Sequence, residues 1–293
     1  MTVDPVRGRV WTITDGVFRT IVVEGNEGLI AFDTFWSPGS AQAYRTALER
    51  WFPRKRVHTI IYTHDHLDHT GFGQHFVPEV PMILAHAKTA DVIIARESDG
   101  QLPPTHTWTG EQHWVDIDGA QFLLAYPGPT HGTGNTAAYF PENRLLFMAD
   151  TVIVGACYNT VPDYHWTSWI PNTRRLLGLD WDLYVPGHFW QLDRRGFQND
   201  LDLWEATAHT AQLALAAGVD VDDYRAVREF TYKHMDSSLG DTTFRFDEFA
   251  AINVVRHMVH YQTGGWGLPD SQRHDTTPFT MSTSHSFSSE VSR

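Results

Sequence analysis

Up to His188 the chain is written in short apolar blocks of strand length, and beyond it in longer stripes of helical spacing. Residues 17–23 and 29–32 are β-branched or apolar and flank the turn-forming run Gly25-Asn26-Glu27-Gly28, which predicts a hairpin. Over residues 40–51, Ala43, Ala47 and Trp51 keep helical spacing, with Pro38 and Gly39 ahead and Pro53 behind, which predicts a helix. A strand over 57–62 runs directly into Thr63-His64-Asp65-His66-Leu67-Asp68-His69. Further strands are predicted over 81–85, 121–126, 136–140, 144–148 and 183–185, and a helix over 87–95. Strands alternating with helices, and polar residues gathered at strand ends, describe a layered α/β protein with its site along one edge of the sheets.

Beyond His188, Leu201, Trp204, Ala208, Ala211 and Leu215 fall on one helical stripe that Gly218 is placed to end, and Phe249, Ile252, Val255 and Val259 make a second. The expected organisation is a catalytic domain over 1–195, a helical extension over 196–267, and a Ser/Thr-rich tail over 268–293. That tail has too few large apolar residues to offset its ordering entropy, so it is expected to be mobile.

Charge narrows the partners. With 35 acidic against 22 basic residues and a net charge of -13, the chain offers no electrostatic footprint for phosphate backbones or anionic lipid, so neither nucleic acid nor a membrane is expected. No run of about 18 apolar residues occurs, and the first residues lack a basic stretch followed by an apolar one, so the expected location is cytoplasmic. The single cysteine, Cys157, excludes an intramolecular disulfide. Seventeen histidines and 11 tryptophans are ligand-type and pocket-type residues, but only their positions give them meaning.

In His64-x-His66-x-Asp68-His69, four ligand-type side chains follow an apolar strand. Residues two apart in an extended segment point the same way, so His64 and His66 can grip one ion while Asp68 and His69 turn towards another. With this composition such a run arises by chance about once in two hundred chains. Six residues cannot encircle two ions, so other strand ends must contribute. Three candidates stand there: His131 in a glycine-flanked loop, Asp150 after the run 145–149, and His188 after Pro186-Gly187.

On these residues the sequence resembles the metallo-β-lactamase superfamily over residues 10–188. The resemblance implies an α/β fold, the αββα sandwich, here with a helical C-terminal extension. It implies that His64, His66 and His131 hold a first ion, that Asp68, His69 and His188 hold a second, and that Asp150 bridges them. Asp33 matches an acidic residue that the superfamily uses structurally beneath the metal loop. Two divalent ions, zinc by preference with iron or manganese tolerated, would acidify a shared water and supply hydroxide near neutral pH. The nucleophile is then solvent and not Cys157, with Asp68 the candidate proton acceptor and Asp150 the shared catalytic ligand.

Aspartate rather than cysteine at the bridging position resembles the glyoxalase-type and lactonase-type hydrolases. The segments 139–149, Asn253-Val254 and 261–266 resemble the alkylsulfatases, whose helical region after the last metal histidine forms dimers. Those enzymes usually place glutamates where His131 and Asp150 stand, so the resemblance lends architecture and not substrate. A homodimer through the extension is expected, because 249–259 is apolar over a wider arc than one contact face requires.

Phe35, Trp36, Tyr158, His165, Trp166, Trp169, Phe189 and Trp190 follow predicted strands and are the candidate substrate-binding residues, suited to a small, partly apolar substrate. Core packing would use the same residue types. The other histidines, among them His75, His86, His106, His113, His209, His234, His257 and His260, are read as structural or solvent-facing. The expected activity is hydrolysis of an ester, lactone or thioester. Sulfuric ester hydrolysis and an iron-dependent oxygenase or persulfide dioxygenase are the alternatives; a scaffold without activity has no use for seven such groups.

Overall fold

Two sheets face each other across a shared core in the computed structural model, which describes residues 1–76, 82–152, 166–263 and 280–281. The first sheet holds β1 (Thr2–Arg7), β2 (Val10–Asp15), β3 (Phe18–Glu24), β4 (Leu29–Phe32), β5 (Val57–Ile61), β6 (Met82–His86) and β7 (His106–Trp108), in chain order. Its first four strands form an antiparallel meander, and β4 to β7 are parallel. The second sheet holds β8 (Gln112–Ile117), β9 (Ala120–Ala125), β10 (Ala137–Phe140), β11 (Leu145–Met148) and β12 (Leu183–Pro186), antiparallel except for the parallel pair β11–β12.

The inner faces meet in one apolar layer, with Ile30, Phe32 and Ile61 opposite Phe122, Phe140 and Phe147; Phe32 meets Phe147 edge-on at 5.5 Å between ring centres. The outer face of the first sheet is covered by α1 (Pro38–Trp51), after which come the one-turn α2 (Leu67–Thr70) and then α3 (Ala87–Arg96). The outer face of the second sheet is covered by α4 (Trp166–Arg175) and the first half of α5 (Arg194–Ala216), whose Phe197 and Leu201 pack with Trp181 and Tyr184. This is the expected αββα sandwich. Because both faces of each sheet are covered, β4, β10 and β11 read as unbroken apolar runs and all their residues are buried.

Local chemistry sets the boundaries. Ser37 caps α1, its Oγ accepting from the Ser40 amide at 3.0 Å, and Pro38 supplies a preset φ at the first helical position. Strand β1 carries Pro5 at a register shift, which an edge strand tolerates and an inner one does not.

The helical extension consists of the rest of α5, then α6 (Tyr224–His234) and α7 (Phe246–Thr263). The wide apolar arc of α7 is used within the chain itself: Ala250 joins Leu203 of α5, while Val254 and Met258 join Ala211, Ala214 and Val227 of α5 and α6. Val259 is 36% exposed and Ile252 and Val255 are half-buried, so the arc does not by itself require a second chain. The tail lies outside the described residues apart from Thr280 and Met281.

Candidate metal centre

All seven expected ligands come together at one edge of the sandwich. His64 and His66 leave the end of β5, and Asp68 and His69 lie on α2, whose single turn reverses the chain so that all four side chains face the cleft. His131 arrives on the loop before β10, Asp150 just after β11 and His188 just after β12. Two groups result, His64, His66 and His131 in one and Asp68, His69, Asp150 and His188 in the other, with the ligand atoms of each group within 4.8 Å of one another.

Asp150 stands between the groups. Its Oδ2 lies 3.0 Å from His69 Nε2, 3.5 Å from His131 Nε2 and 3.9 Å from His64 Nε2, and its Oδ1 lies 3.1 Å from His188 Nε2. Burial works against ionisation of Asp150, but the His188 and His69 nitrogens outweigh it and hold the carboxyl well below the usual range. Asp68 is the open member, its side chain 47% exposed, with Oδ2 3.9 Å from His69 Nε2.

The surroundings fit a metal ion. Thr63 donates from Oγ1 to Asp33 Oδ2 at 2.8 Å, so the same oxygen must accept from His64 Nδ1, also at 2.8 Å. That fixes the His64 tautomer and leaves an unprotonated Nε2 aimed into the cleft, fully buried and making no hydrogen bond. Burial, reinforced by His66 and His69, pushes the His64 pKa well down, and a neutral imidazole is the form that coordinates a cation. A buried acceptor with no donor is costly in an apolar interior, and a divalent ion satisfies it. Asp33 is no ligand: it takes two hydrogen bonds from Thr63, at 2.8 Å each, beneath the loop, and burial raises its pKa to about 6 against the pull of His69.

The loop is braced from outside as well. Arg96 of α3 donates to Asp65 Oδ2 at 2.7 Å and to the Asp65 carbonyl at 2.6 Å, and Gln101 bridges that carbonyl and Thr70. Thr136 ties the second sheet to the loop through the Thr63 carbonyl at 2.8 Å. Backbone strain concentrates here: Asp33, Phe35, Asp150 and Phe189 all have φ between 51° and 71° without being glycine. At Gly187 a Cβ would stand 2.6 Å from Asp150 Oδ1 and 3.0 Å from His69 Cε1, so only glycine fits before His188.

The candidate pocket residues separate. Trp36, Phe189 and Trp190 are at the mouth of the cleft, Trp36 and Trp190 being 47% and 49% exposed. Phe35 points the other way and is buried against Tyr44 at 5.2 Å, because its left-handed backbone turns it into the core under α1. Trp166 and Trp169 form a buried cluster with Trp204 between α4 and α5, so their rings serve the joint with the helical extension. Tyr158 and His165, like Cys157, lie outside the described residues. Sequence reasoning missed Phe18, 4.7 Å from His188 between ring centres, and Phe244, which meets Phe189 and Trp190 from the connection before α7. Phe18 opens β3 and Phe244 precedes α7, and no local pattern marks either as a cleft residue. Of the other histidines, His86 caps α3, accepting from the Lys88 amide at 3.3 Å.

The sequence profile of the metallo-beta-lactamase superfamily matches residues 18–188. The 2,4-dinitroanisole O-demethylase subunit alpha of Nocardioides sp. (strain JS1661) is 68% identical over 279 residues, 95% of this chain and 85% of that one. The subunit beta of the same strain is 30% identical over 276 residues, 94% of this chain and 86% of that one. Among solved structures, the stereoselective inverting sec-alkylsulfatase Pisa1 from Pseudomonas sp. superposes with a TM-score of 0.76 at 14% identity, covering 95% of this chain. That is a likeness of fold, and this chain spans about half (52%) of the sulfatase chain. With its sandwich, its profile match and its relatives in agreement, the chain belongs to the metallo-β-lactamase superfamily.

Proposed function

We propose that this protein is a binuclear, metal-dependent hydrolase that cleaves the ether bond of a small activated aryl methyl ether, consuming one water and releasing a phenol and methanol. The observation that carries the reading is the pair of ligand groups meeting at Asp150, in a chain 68% identical to a dinitroanisole O-demethylase subunit. Ions bound there, zinc by preference for a set of five imidazoles and two carboxylates, would acidify water and stabilise charge on the departing oxygen. The chain's own residues do the rest. Asp150 holds the two groups together; Asp68, the most open carboxylate, is placed to take up a proton; the buried His64 and His69 keep the floor of the cleft dry.

Hydrolysis of an ester, lactone or thioester is the second reading, favoured by aspartate at the shared position. The name of the relative also supports a partner: its subunit beta is itself 30% identical to this chain, so a second chain of the same fold is the proposed companion.

The test begins with elemental analysis of protein purified without added metal, followed on the same sample by 2,4-dinitroanisole, aryl ester, lactone, thioester and alkyl sulfate substrates, with and without the companion chain. About two zinc per chain, with dinitrophenol and methanol released in equal amounts, is the expected result. Turnover of only an acyl or sulfate ester would replace the ether reading. Bound iron with oxygen consumption would replace hydrolysis altogether.

A further inference from the structure

Two sets of aromatic side chains meet the ring of His188. In the first, Phe18 lies 4.7 Å from it and 6.0 Å from His69, and Trp36 stacks on Phe18 at 5.7 Å with 21° between the planes. In the second, Phe189 lies 6.4 Å from His188, Trp190 follows at 5.7 Å, and Phe244 closes the set at 6.2 Å from Phe189 and 6.1 Å from Trp190. The backbone enforces this. Phe18 and His188 form an antiparallel bridge, Phe189 donates to the Val17 carbonyl at 3.0 Å, and the left-handed φ of 60° at Phe189 turns the chain out of the β12 direction.

These rings are also exposed where the core could have taken them: Trp36 is 47%, Trp190 49% and Phe244 48% accessible. A group of exposed large aromatics rimming a metal centre is a surface built to be covered. Indole and phenyl faces carry negative potential, so the ring that stacks on them best is one whose own face has been made positive by electron-withdrawing substituents. An alkyl chain would gain only from burial.

We propose that Phe18 and Trp36 on one side and Phe189, Trp190 and Phe244 on the other form a slot that grips a flat, electron-poor aromatic ring beside His188. The helical extension thus supplies, through Phe244, part of the specificity of the catalytic domain. The inference rests on the aryl ether reading above, and it identifies the side of the cleft from which the ring approaches.

The test uses 2,4-dinitrotoluene, which keeps the ring and both nitro groups but has no ether bond to cleave, with toluene as the electron-richer control. Calorimetric titration of the metal-loaded protein should give binding of dinitrotoluene at least tenfold tighter than of toluene. Trp190→Ala and Phe244→Ala should each weaken dinitrotoluene at least fivefold with metal content unchanged, and Trp190→Phe should recover most of the loss. Equal binding of the two ligands, unaltered binding in the variants, or no binding to the wild type would overturn the slot. Unaltered binding with a lower assembly mass in the variants would assign the rim to a subunit contact instead. Because the probe is inert, binding without ether turnover would retire the hydrolysis reading and leave the slot standing.

Discussion

His257 carries a prediction that needs no substrate. It lies on α7 inside the helical extension, fully buried, with its ring 3.9 Å from Trp166 and 5.9 Å from Trp204. Its Nδ1 meets the Asn253 carbonyl at 2.9 Å, which leaves Nε2 without a hydrogen bond. Burial pushes its pKa down to about 3, aided by His260 and opposed by the Asn253 carbonyl. The unfolded chain binds a proton at His257 near pH 6.5 and the folded chain does not, so between those values unfolding takes up a proton and acid destabilises the fold. At pH 5 the loss is set by the unfolded value alone, about 1.5 pH units at about 1.4 kcal/mol each, or about 2 kcal/mol. His257→Gln keeps a donor for the Asn253 carbonyl and does not titrate. Denaturant unfolding of metal-free wild type and variant at pH 7 and pH 5 gives the double difference, in which the other acid-sensitive groups cancel. The wild type should lose about 2 kcal/mol more than the variant over that interval. Equal losses within about 0.5 kcal/mol would mean that His257 is hydrated or already protonated in the fold, and the reasoning would fail.

At the cleft, Asp150→Ala removes the carboxylate that stands between the two ligand groups, and elemental analysis should find metal nearly absent while circular dichroism stays native. Arg96→Met leaves the buried Asp65 carboxylate, 6% exposed, without its guanidinium; thermal denaturation should register about 1–3 kcal/mol and zinc titration about tenfold weaker binding. Phe35→Ala empties a core site and should cost about 3–5 kcal/mol in denaturant, yet leave KM within about twofold because the ring faces α1 and not the cleft.

The parts of this protein legible in its sequence are those where one residue's neighbours in the chain are also its neighbours in space. The strand β5 and the ligand run behind it could be read directly, since an apolar block ending in His64-x-His66-x-Asp68-His69 is a local pattern. Of the later ligands, Asp150 and His188 were legible because each follows a short apolar strand and His131 because glycines flank it, and Gly187 marks a crowding that the sequence expresses as Pro-Gly-His. Strands β1 and β8 were missed because half-exposed, charge-bearing edges carry little apolar signal, and α6 because most of its residues face solvent. Phe35 was misdirected by a single positive φ, which reverses a side chain without altering composition. Phe244 could not be assigned at all, since its partners come from the far side of two helices.

Each ligand group draws on both layers of the sandwich: His64 and His66 reach across to His131, and Asp68 and His69 to Asp150 and His188. An ion in either group would therefore be a rivet between two plates that are otherwise tied at that edge by backbone hydrogen bonds from Thr136 to Thr63, Arg19 to Gly187 and Phe189 to Val17. Occupancy then acts mechanically as well as chemically. Loss of the ions should let the two plates part first at the cleft while their opposite edge stays shut, so that amide exchange in the 63–70 and 130–136 loops reports occupancy well before the fold is lost.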